Sequence, residues 1–140
     1  MDISIFEGDQ INEVSEVVSE FLYHHLDQYG DAKKDILACL DYAKNKGGKV
    51  ITALDGPEVI GAVVVNETGM SGYIPENILV YIAVDSRARG KGVGKKLMEK
   101  TVEVTKGDIA LHVEKTNPAR FLYEKIGFTN PYLEMRYNRK

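Results

Sequence analysis

One short stretch of the chain concentrates both positive charge and glycine. It reads VDSRARGKGVGKKL, residues 84–97, and places Gly90, Gly92 and Gly94 at alternate positions between an apolar run and a helical pattern. The first N–H groups of a helix have no partners within the helix, and the macrodipole adds positive charge there, so such a turn binds phosphate. Where side chains are missing, a pyrophosphate can approach the backbone closely. The stretch therefore predicts a binding site for a phosphorylated ligand, with a flexible basic turn as the alternative.

Two common phosphate-binding signatures do not fit this spacing. A Walker P-loop ending at Gly94-Lys95 would need glycine at Arg89 and a hydroxyl side chain at Lys96. A dinucleotide fingerprint starting at Gly90 would need its third glycine at Lys95. The pattern that remains is R-x-x-G-x-G at a strand-to-helix turn, and it disfavours an NTP-binding regulator.

The first half of the chain predicts one strand, two helices and a hairpin. The residues ISIF alternate as in a short strand. From Asp9 the apolar residues recur every three or four positions, which predicts an amphipathic helix that stops near Gly30. A second helix is predicted in DAKKDILACLDYAKNKGG, ended by its two glycines. Two β-rich runs then flank Asp55-Gly56, which predicts a hairpin.

The second half predicts the elements that must position the glycine-rich turn. Residues 77–84, NILVYIAV, form an almost unbroken apolar run, as in a strand buried on both faces. A helix follows from about Gly92 to Lys106, then a strand in DIALHV, a short helix opened by Pro118 and closed by Gly127, and a last strand in YLEMRYN. The order β-α-α-β-β-β-α-β-α-β indicates a mixed sheet with helices on its faces.

Two motifs on these elements resemble the GCN5-related N-acetyltransferase (GNAT) superfamily. IAVDSRARGKGVGKKLM resembles its motif A, a strand followed by V-D-x-x-x-R-G-x-G-x-G and a helix. NPARFLYEKIGF, from Asn117 to Phe128, resembles its motif B. The resemblance implies an α/β (α+β) fold for residues 1–140 as a single GNAT domain. It implies a mixed sheet of about six to seven strands flanked by about four helices, with the fourth and fifth strands splayed apart.

The resemblance also implies an activity, that of an acyltransferase. GNAT enzymes move an acetyl group directly from acetyl-CoA to an amine, here a primary amine of a small molecule or a protein. The residues expected to bind acetyl-CoA are Arg89, Gly90, Lys91, Gly92, Val93, Gly94 and Lys95 at the pyrophosphate, Ile82, Ala83 and Val84 along the pantetheine arm, and Asn117 and Tyr123 on the opposite side. The alternative is a GNAT-fold domain that binds CoA without catalysis, as a sensor or interaction module.

Three side chains are candidates for proton transfer. Tyr123 matches the family tyrosine that protonates the departing thiolate, with a hydroxyl pKa near ~10 against a thiol near ~8.5; the alternative is a core aromatic. His112, in LHVEKTN, stands where the family's protein N-terminal acetyltransferases have a glutamate base, and a histidine pKa near ~6.5 suits that role. The alternative is a histidine hydrogen-bonded on the outer side of the sheet. Glu76 lies just before the fourth strand and is expected to act only through water.

The acceptor is expected to enter on the side of the two N-terminal helices and the 66–76 loop. Candidate lining residues there are Tyr23, Tyr29, Tyr73, Asp27 and Asp31. The identity of the acceptor and the presence of a homodimer stay open. No metal site is expected, because adjacent helical residues such as His24 and His25 point about 100° apart and no acid–cysteine cluster completes a site.

Composition narrows the class of protein further. The formal net charge of −3 and the acidic first half argue against nucleic-acid binding. The single Cys39 excludes an internal disulfide, and its place among apolar residues predicts a small buried side chain in a reducing compartment. The first ten residues lack a basic signal-peptide region and no apolar run approaches ~18 residues, so we expect a cytoplasmic protein that does not cross a membrane.

Overall fold

The computed structural model describes residues 1–139; Lys140, the last residue of the predicted domain, lies outside the described part. The elements are β1 (Asp2–Phe6), α1 (Ser15–His25), α2 (Lys33–Asn45), β2 (Gly48–Asp55), β3 (Glu58–Glu67), β4 (Asn77–Val84), α3 (Val93–Val104), β5 (Ile109–Leu111) and α4 (Ala119–Ile126). Three 3-10 helices add Gly8–Glu13, Asp27–Tyr29 and Ser86–Ala88. Within the described residues, no helix is long and apolar enough to cross a membrane.

The five strands form one sheet in chain order. Neighbouring strands are antiparallel except for the parallel β4–β5 pair, whose crossover connection contains α3. The predicted hairpin is confirmed, because β2 ends at Asp55 and β3 begins at Glu58. β4 covers the predicted residues 77–84, and the mixed α/β architecture expected from the sequence is confirmed.

Helices cover both faces of this sheet. α1 and α2 pack on one face against strand residues such as Val64 and Tyr81. α3 and α4 pack on the other face against residues such as Val63 and Leu79. Because successive side chains of a strand point to opposite faces of the sheet, neighbouring strand residues belong to different apolar clusters. Each cluster stabilises the fold by burial, and truncating a fully buried side chain such as Leu97 to alanine costs about 2–5 kcal/mol.

The prediction of one continuous first helix is wrong. Gly8–Glu13 forms a 3-10 helix, and α1 begins only at Ser15. Between them Val14 has φ −125° and ψ −3°, outside the α-helical region. The apolar spacing therefore predicted the buried face correctly, but it did not show where the backbone leaves the helical conformation.

The predicted last strand in YLEMRYN is wrong, and so is the expected total of six to seven strands. Residues 127–139, which follow α4, contain no strand. In this segment Tyr132, Leu133, Met135 and Tyr137 are 77–92% exposed. Alternating β-forming residues become a strand only where a partner pairs with them, and none of the five strands pairs with this segment.

β4 and β5 separate part-way along β4. Their pairing ends with Leu79 opposite Leu111, so β5 is shorter than predicted. β4 continues to Val84 without a partner on that side, which leaves about 13 Å of unpaired edge from Val80 to Val84. We call this stretch the open edge. The predicted splaying of the fourth and fifth strands is confirmed.

Candidate active site

The glycine-rich loop after the open edge presents unpaired amides. Gly90 and Gly92 have φ of 82° and 80°, a conformation that glycine adopts freely and other residues rarely adopt. A Cβ at either glycine would meet no atom within 4 Å, so the space beside the loop is open. Within residues 1–139, no N–H group from Gly90 to Lys95 donates a well-formed hydrogen bond. These consecutive amides at a helix N-terminus, beside the side chains of Lys91 and Lys95, can bind a phosphate group.

Asp85 holds this loop in place. Its buried carboxylate accepts hydrogen bonds from the Arg87 N–H at 2.9 Å and from the Arg87 guanidinium at 2.7 Å. The backbone carbonyl of Asp85 accepts a third hydrogen bond, from the Ala88 N–H. The Arg87 guanidinium holds the pKa of Asp85 well below its ordinary range, so the carboxylate is charged at neutral pH. No role was predicted for Asp85 from the sequence, although its place directly after a buried strand could have indicated one.

Gly94 differs from the other two glycines of the loop. A Cβ there would lie 3.2 Å from Leu122 Cδ2 and 3.7 Å from Val84 Cγ2. Its missing side chain therefore lets α4 pack closely against α3. The side-chain position of Gly94 thus faces Leu122, whereas those of Gly90 and Gly92 face open space. The Gly94 N–H group still belongs to the row of free amides from Gly90 to Lys95.

The open edge carries backbone groups that no strand satisfies. The Asp85 N–H donates to the Ile60 carbonyl on β3, and successive amides of a strand alternate in direction. The amides of Ile82 and Val84 therefore face the open edge. The amide of Ala83, also predicted to bind acetyl-CoA, faces β3. The open edge can bind an extended ligand as an added strand.

Tyr123 combines a buried ring with a free hydroxyl. The residue is 7% exposed and packs in the cluster beneath α3 and α4, with its ring centroid 6.2 Å from that of Phe128. Its hydroxyl has no hydrogen-bond partner among the described residues. The hydroxyl oxygen is not fully buried, so solvent reaches it. Burial raises the pKa of Tyr123 to about 12. The hydroxyl therefore keeps its proton at neutral pH and can donate it.

His112 and Asn117 lie on the connection between β5 and α4. Leu111 and Val113 pack in the cluster beneath α3 and α4, so His112 between them faces the opposite side of the sheet, where it is exposed. Asn117 Oδ1 accepts a hydrogen bond from the Ala119 N–H at 2.9 Å, at the start of α4. This contact leaves the Nδ2 group of Asn117 as a donor.

Glu76 lies at the other end of β4. Its carboxylate accepts a hydrogen bond from the Asp108 N–H at 2.9 Å, which lowers the pKa of Glu76. Its side chain also lies against Gly107, where a Cβ would come within 2.8 Å of it. β4 is paired with β5 at this end, so the structure does not bring Glu76 to the open edge. Its contacts tie the α3–β5 connection to β4.

Residues 27–31, between α1 and α2, contact both sides of the open edge. We call this segment the strap. The Tyr29 hydroxyl donates to the Thr116 carbonyl at 3.2 Å, on the β5–α4 connection. The Asp27 carboxylate lies 3.8 Å from the Arg89 guanidinium, so the strap also reaches the glycine-rich loop. The strap thus lies on the α1–α2 side of the site, the side on which His112 is exposed.

The remaining candidate side chains lie away from the open edge, although one of them reaches Asp85. Tyr23 and Tyr73 are 51% and 82% exposed. His25 packs against Phe21 in a tilted arrangement, with ring centroids 4.5 Å apart, and its Nε2 lies 3.8 Å from Asp85 Oδ2. Cys39 is buried as predicted, and burial raises the pKa of its thiol to about 11. In the part of the chain that the structure describes, no group of three or more His, Cys, Asp or Glu side chains could hold a metal ion.

Comparison with known protein families identifies the family of this chain. The acetyltransferase (GNAT) domain matches residues 46–130, which include the glycine-rich loop, the open edge and the whole region from β5 to α4. The chain belongs to the GNAT acetyltransferases. The predicted family and class of enzyme are therefore confirmed: the chain is an N-acetyltransferase of a family that uses acetyl-CoA as the acetyl donor.

Two known proteins are similar in sequence to this GNAT acetyltransferase. The "5-NmdU N-acetyltransferase" of Pseudomonas phage PaMx11 is 33% identical over 101 residues, which cover 71% of this chain and 69% of the phage protein. "N-alpha-acetyltransferase 30" of Xenopus laevis is 32% identical over 90 residues, which cover 61% of this chain and 33% of the longer frog protein. Both names describe the transfer of an acetyl group to nitrogen.

A solved structure shares the fold of this GNAT acetyltransferase. The crystal structure of "a probable acetyltransferase" aligns over 100% of this chain and 97% of that chain, with a TM-score of 0.74 and 19% identity. At this identity the likeness shows the fold alone. It agrees with the mixed α/β sheet described above.

Proposed function

We propose that this chain is a single acetyltransferase domain that binds acetyl-CoA along the open edge and the glycine-rich loop. The acetyl group then passes directly to a primary amine of a small molecule or a protein, which enters on the strap side. One observation carries the proposal. Unpaired backbone donors occur at two places close together in the chain, at the amides of Ile82 and Val84 on the open edge and at the amides of residues 90–95 in the glycine-rich loop.

The chemistry of these donors fits acetyl-CoA. The amides of residues 90–95, with Lys91 and Lys95 beside them, complement the negative charge of a pyrophosphate. The edge groups of Ile82 and Val84 complement the amides of a pantetheine arm. The Asn117 Nδ2 group is the proposed donor on the opposite side. When bound, acetyl-CoA supplies a thioester, which is an acyl group activated for transfer to nitrogen.

Tyr123 is the proposed proton donor to the leaving sulfur. Its hydroxyl is protonated, has no protein partner among the described residues and is reached by solvent. Desolvation disfavours a thiolate in the same way as a phenolate, so burial raises the pKa of both groups together. The Tyr123 hydroxyl can therefore deliver its proton in the buried environment where the thiolate forms.

His112 is the proposed base that takes a proton from the acceptor amine. An ammonium cannot attack a carbonyl until it loses a proton. His112 follows directly after Leu111, where β4 and β5 separate, and is exposed on the strap side. Glu76 is not carried into this proposal, because its carboxylate is engaged by the Asp108 N–H at the paired end of β4.

The location and the alternative function are also proposals. Cys39 is free and buried, which supports an enzyme that works in the cytoplasm, where thiols stay reduced. The free hydroxyl of Tyr123 favours an enzyme over a CoA-binding sensor, because binding alone does not need a proton donor.

A thiol-release assay with acetyl-CoA tests the proposed function. The panel of acceptors is spermidine, L-lysine, an aminoglycoside, a peptide with a free N-terminus, and 5-NmdU. We expect calorimetry to show binding of one acetyl-CoA and the assay to show thiol release with at least one amine. Binding without thiol release from any amine would favour the sensor. Absence of acetyl-CoA binding would contradict the proposal.

A further inference from the structure

Tyr81 occupies a position that the proposed mechanism does not use. It lies on the open edge, two residues after Leu79, the last residue of β4 that pairs with β5. Val80 is an extra residue in the β3–β4 pairing, and this bulge turns Tyr81 to the face opposite Leu79. The Tyr81 side chain packs in the cluster beneath α1 and α2. It therefore lies on the strap side, as His112 does.

The hydroxyl of Tyr81 is held by the strap. It donates a hydrogen bond to Asp31 Oδ2 at 2.5 Å. Tyr81 is only 7% exposed, whereas Asp31 is exposed, so the hydroxyl lies at the boundary between the core and solvent. The strap is fastened at two further points, by Tyr29 to Thr116 and by Asp27 to Arg89. These contacts keep Asp31 beside the open edge.

This hydrogen bond decides what the hydroxyl can still bind. A tyrosine hydroxyl has one donor position and accepts through its oxygen lone pairs. Asp31 uses the donor position, so only the lone pairs remain for a ligand. Burial and the Asp31 carboxylate raise the pKa of Tyr81, so the hydroxyl stays protonated and does not act as a base. Such a group selects a ligand that donates a hydrogen bond, as a primary amine does.

Building on the proposed function, we infer that Tyr81 is an acceptor-positioning residue. Its hydroxyl oxygen accepts an N–H of the primary amine near the point where β4 and β5 separate. Asp31 acts through Tyr81: by accepting the hydroxyl proton in a hydrogen bond, it orients the lone pairs toward the amine. With one N–H fixed in this way, the lone pair of the nitrogen is directed for attack.

Three variants and a matched control test this inference. Tyr81→Phe keeps the ring and removes the hydroxyl. Asp31→Ala removes the acceptor of its hydrogen bond, and Asp31→Asn restores an oxygen that can accept it. Tyr42→Phe is the control, because the Tyr42 hydroxyl donates to the Glu67 carbonyl at 2.8 Å, away from the open edge. Each variant is checked for its melting temperature, for acetyl-CoA affinity by calorimetry, and for kcat and KM with the amine of the panel that the wild type acetylates fastest.

We expect the acceptor KM to change while the acetyl-CoA Kd does not. Loss of one hydrogen bond to the amine should raise the acceptor KM about tenfold in Tyr81→Phe. Asp31→Ala should show an increase of similar size, and Asp31→Asn should return the acceptor KM to within about twofold of the wild type. Tyr42→Phe should match the wild type in both constants.

Three results would overturn the inference. One is an unchanged acceptor KM in a folded Tyr81→Phe enzyme. Another is an equal loss of acetyl-CoA affinity, which would give the hydroxyl a role in holding the strap instead. The third is an equal effect of Asp31→Asn and Asp31→Ala. Failure of the proposed function differs from these results, because it would be seen in the wild-type enzyme as absent acetyl-CoA binding or absent thiol release. Either of those results would also remove the basis of the inference.

Discussion

The two ends of β4 carry similar residues but have different partners. From Asn77 to Leu79 the strand is paired on both sides, and the Asn77 side chain adds a hydrogen bond to the Lys106 carbonyl at 2.6 Å. From Val80 to Val84 one side has no strand, and the free amides of the glycine-rich loop follow. The composition of the strand does not explain this difference. The point at which β5 ends does.

Because of this difference, the paired end of β4 contributes to the stability of the fold, whereas the open edge is available for ligand binding. Backbone groups without partners are costly when buried, so an unpaired edge needs water or a ligand. The paired end is satisfied by the protein itself. Substitutions near the open edge should therefore affect binding and turnover, whereas substitutions at the paired end should affect the stability of the fold.

The largest effect is expected from Gly92→Glu in the glycine-rich loop. The new carboxylate would face the pyrophosphate. Two like charges about 4 Å apart near a protein surface repel by about 4 kcal/mol, so the Kd of acetyl-CoA should rise about 1000-fold. Gly56→Glu is the matched control: Gly56 also has a positive φ, of 60°, and a Cβ there would meet no atom within 4 Å, but it lies in the β2–β3 hairpin. Equal acetyl-CoA affinities for the two variants would contradict the assignment of the loop.

Tyr123→Phe should separate turnover from binding. Removing a proton donor typically lowers the rate of the chemical step by about 100-fold or more, while the ring still fills its place in the core. We expect kcat to fall by about 100-fold and the acetyl-CoA Kd to stay unchanged. An undiminished kcat would show that Tyr123 serves packing only.

His112→Ala should lower kcat less than Tyr123→Phe does. Water can take a proton from the acceptor amine when the imidazole is absent, so we expect a decrease of about tenfold. Because an unassisted amine loses its proton more readily at high pH, the loss should shrink as the pH of the assay rises. A pH profile parallel to that of the wild type would assign His112 no role as a base.

Glu76→Ala tests the paired end and should have the smallest effect on catalysis. It removes the acceptor of the Asp108 N–H, so the melting temperature should fall while kcat stays within about twofold of the wild type. The lowered pKa of Glu76 gives the sign of the pH dependence. The stabilisation is present above the unfolded pKa of 4.5 and is lost as the pH falls through the lower folded value. A large loss of kcat at unchanged stability would make Glu76 a catalytic residue after all.

The sequence predicts those features of the fold and the site that depend on residues close together in the chain. The glycine spacing of residues 90–94 and the apolar run of residues 77–84 each depend on neighbouring residues, and both predicted their elements. The contact between Tyr81 and Asp31 joins residues 50 positions apart, and that between Tyr29 and Thr116 joins residues 87 positions apart. No local pattern reveals such pairs.

The same distinction explains the predictions that were wrong. The segment YLEMRYN has the alternation of a strand, but a strand needs a partner edge, which sequence alternation does not supply. The packing of Gly94 against Leu122 of α4 joins two distant parts of the chain, so the glycine spacing alone does not reveal it. The fold class and the family could be predicted from motifs, and the individual contacts of the site could not.

Amide hydrogen exchange on the whole chain, with and without acetyl-CoA, compares the two ends of β4 in one experiment. We predict that acetyl-CoA slows exchange at the amides of Ile82 and Val84 and of residues 90–95. The paired end, from Asn77 to Leu79, should exchange at the same rate in both samples, because β5 already satisfies that edge. Equal protection at both ends of β4, or no protection at the open edge under saturating acetyl-CoA, would contradict binding of acetyl-CoA along the open edge.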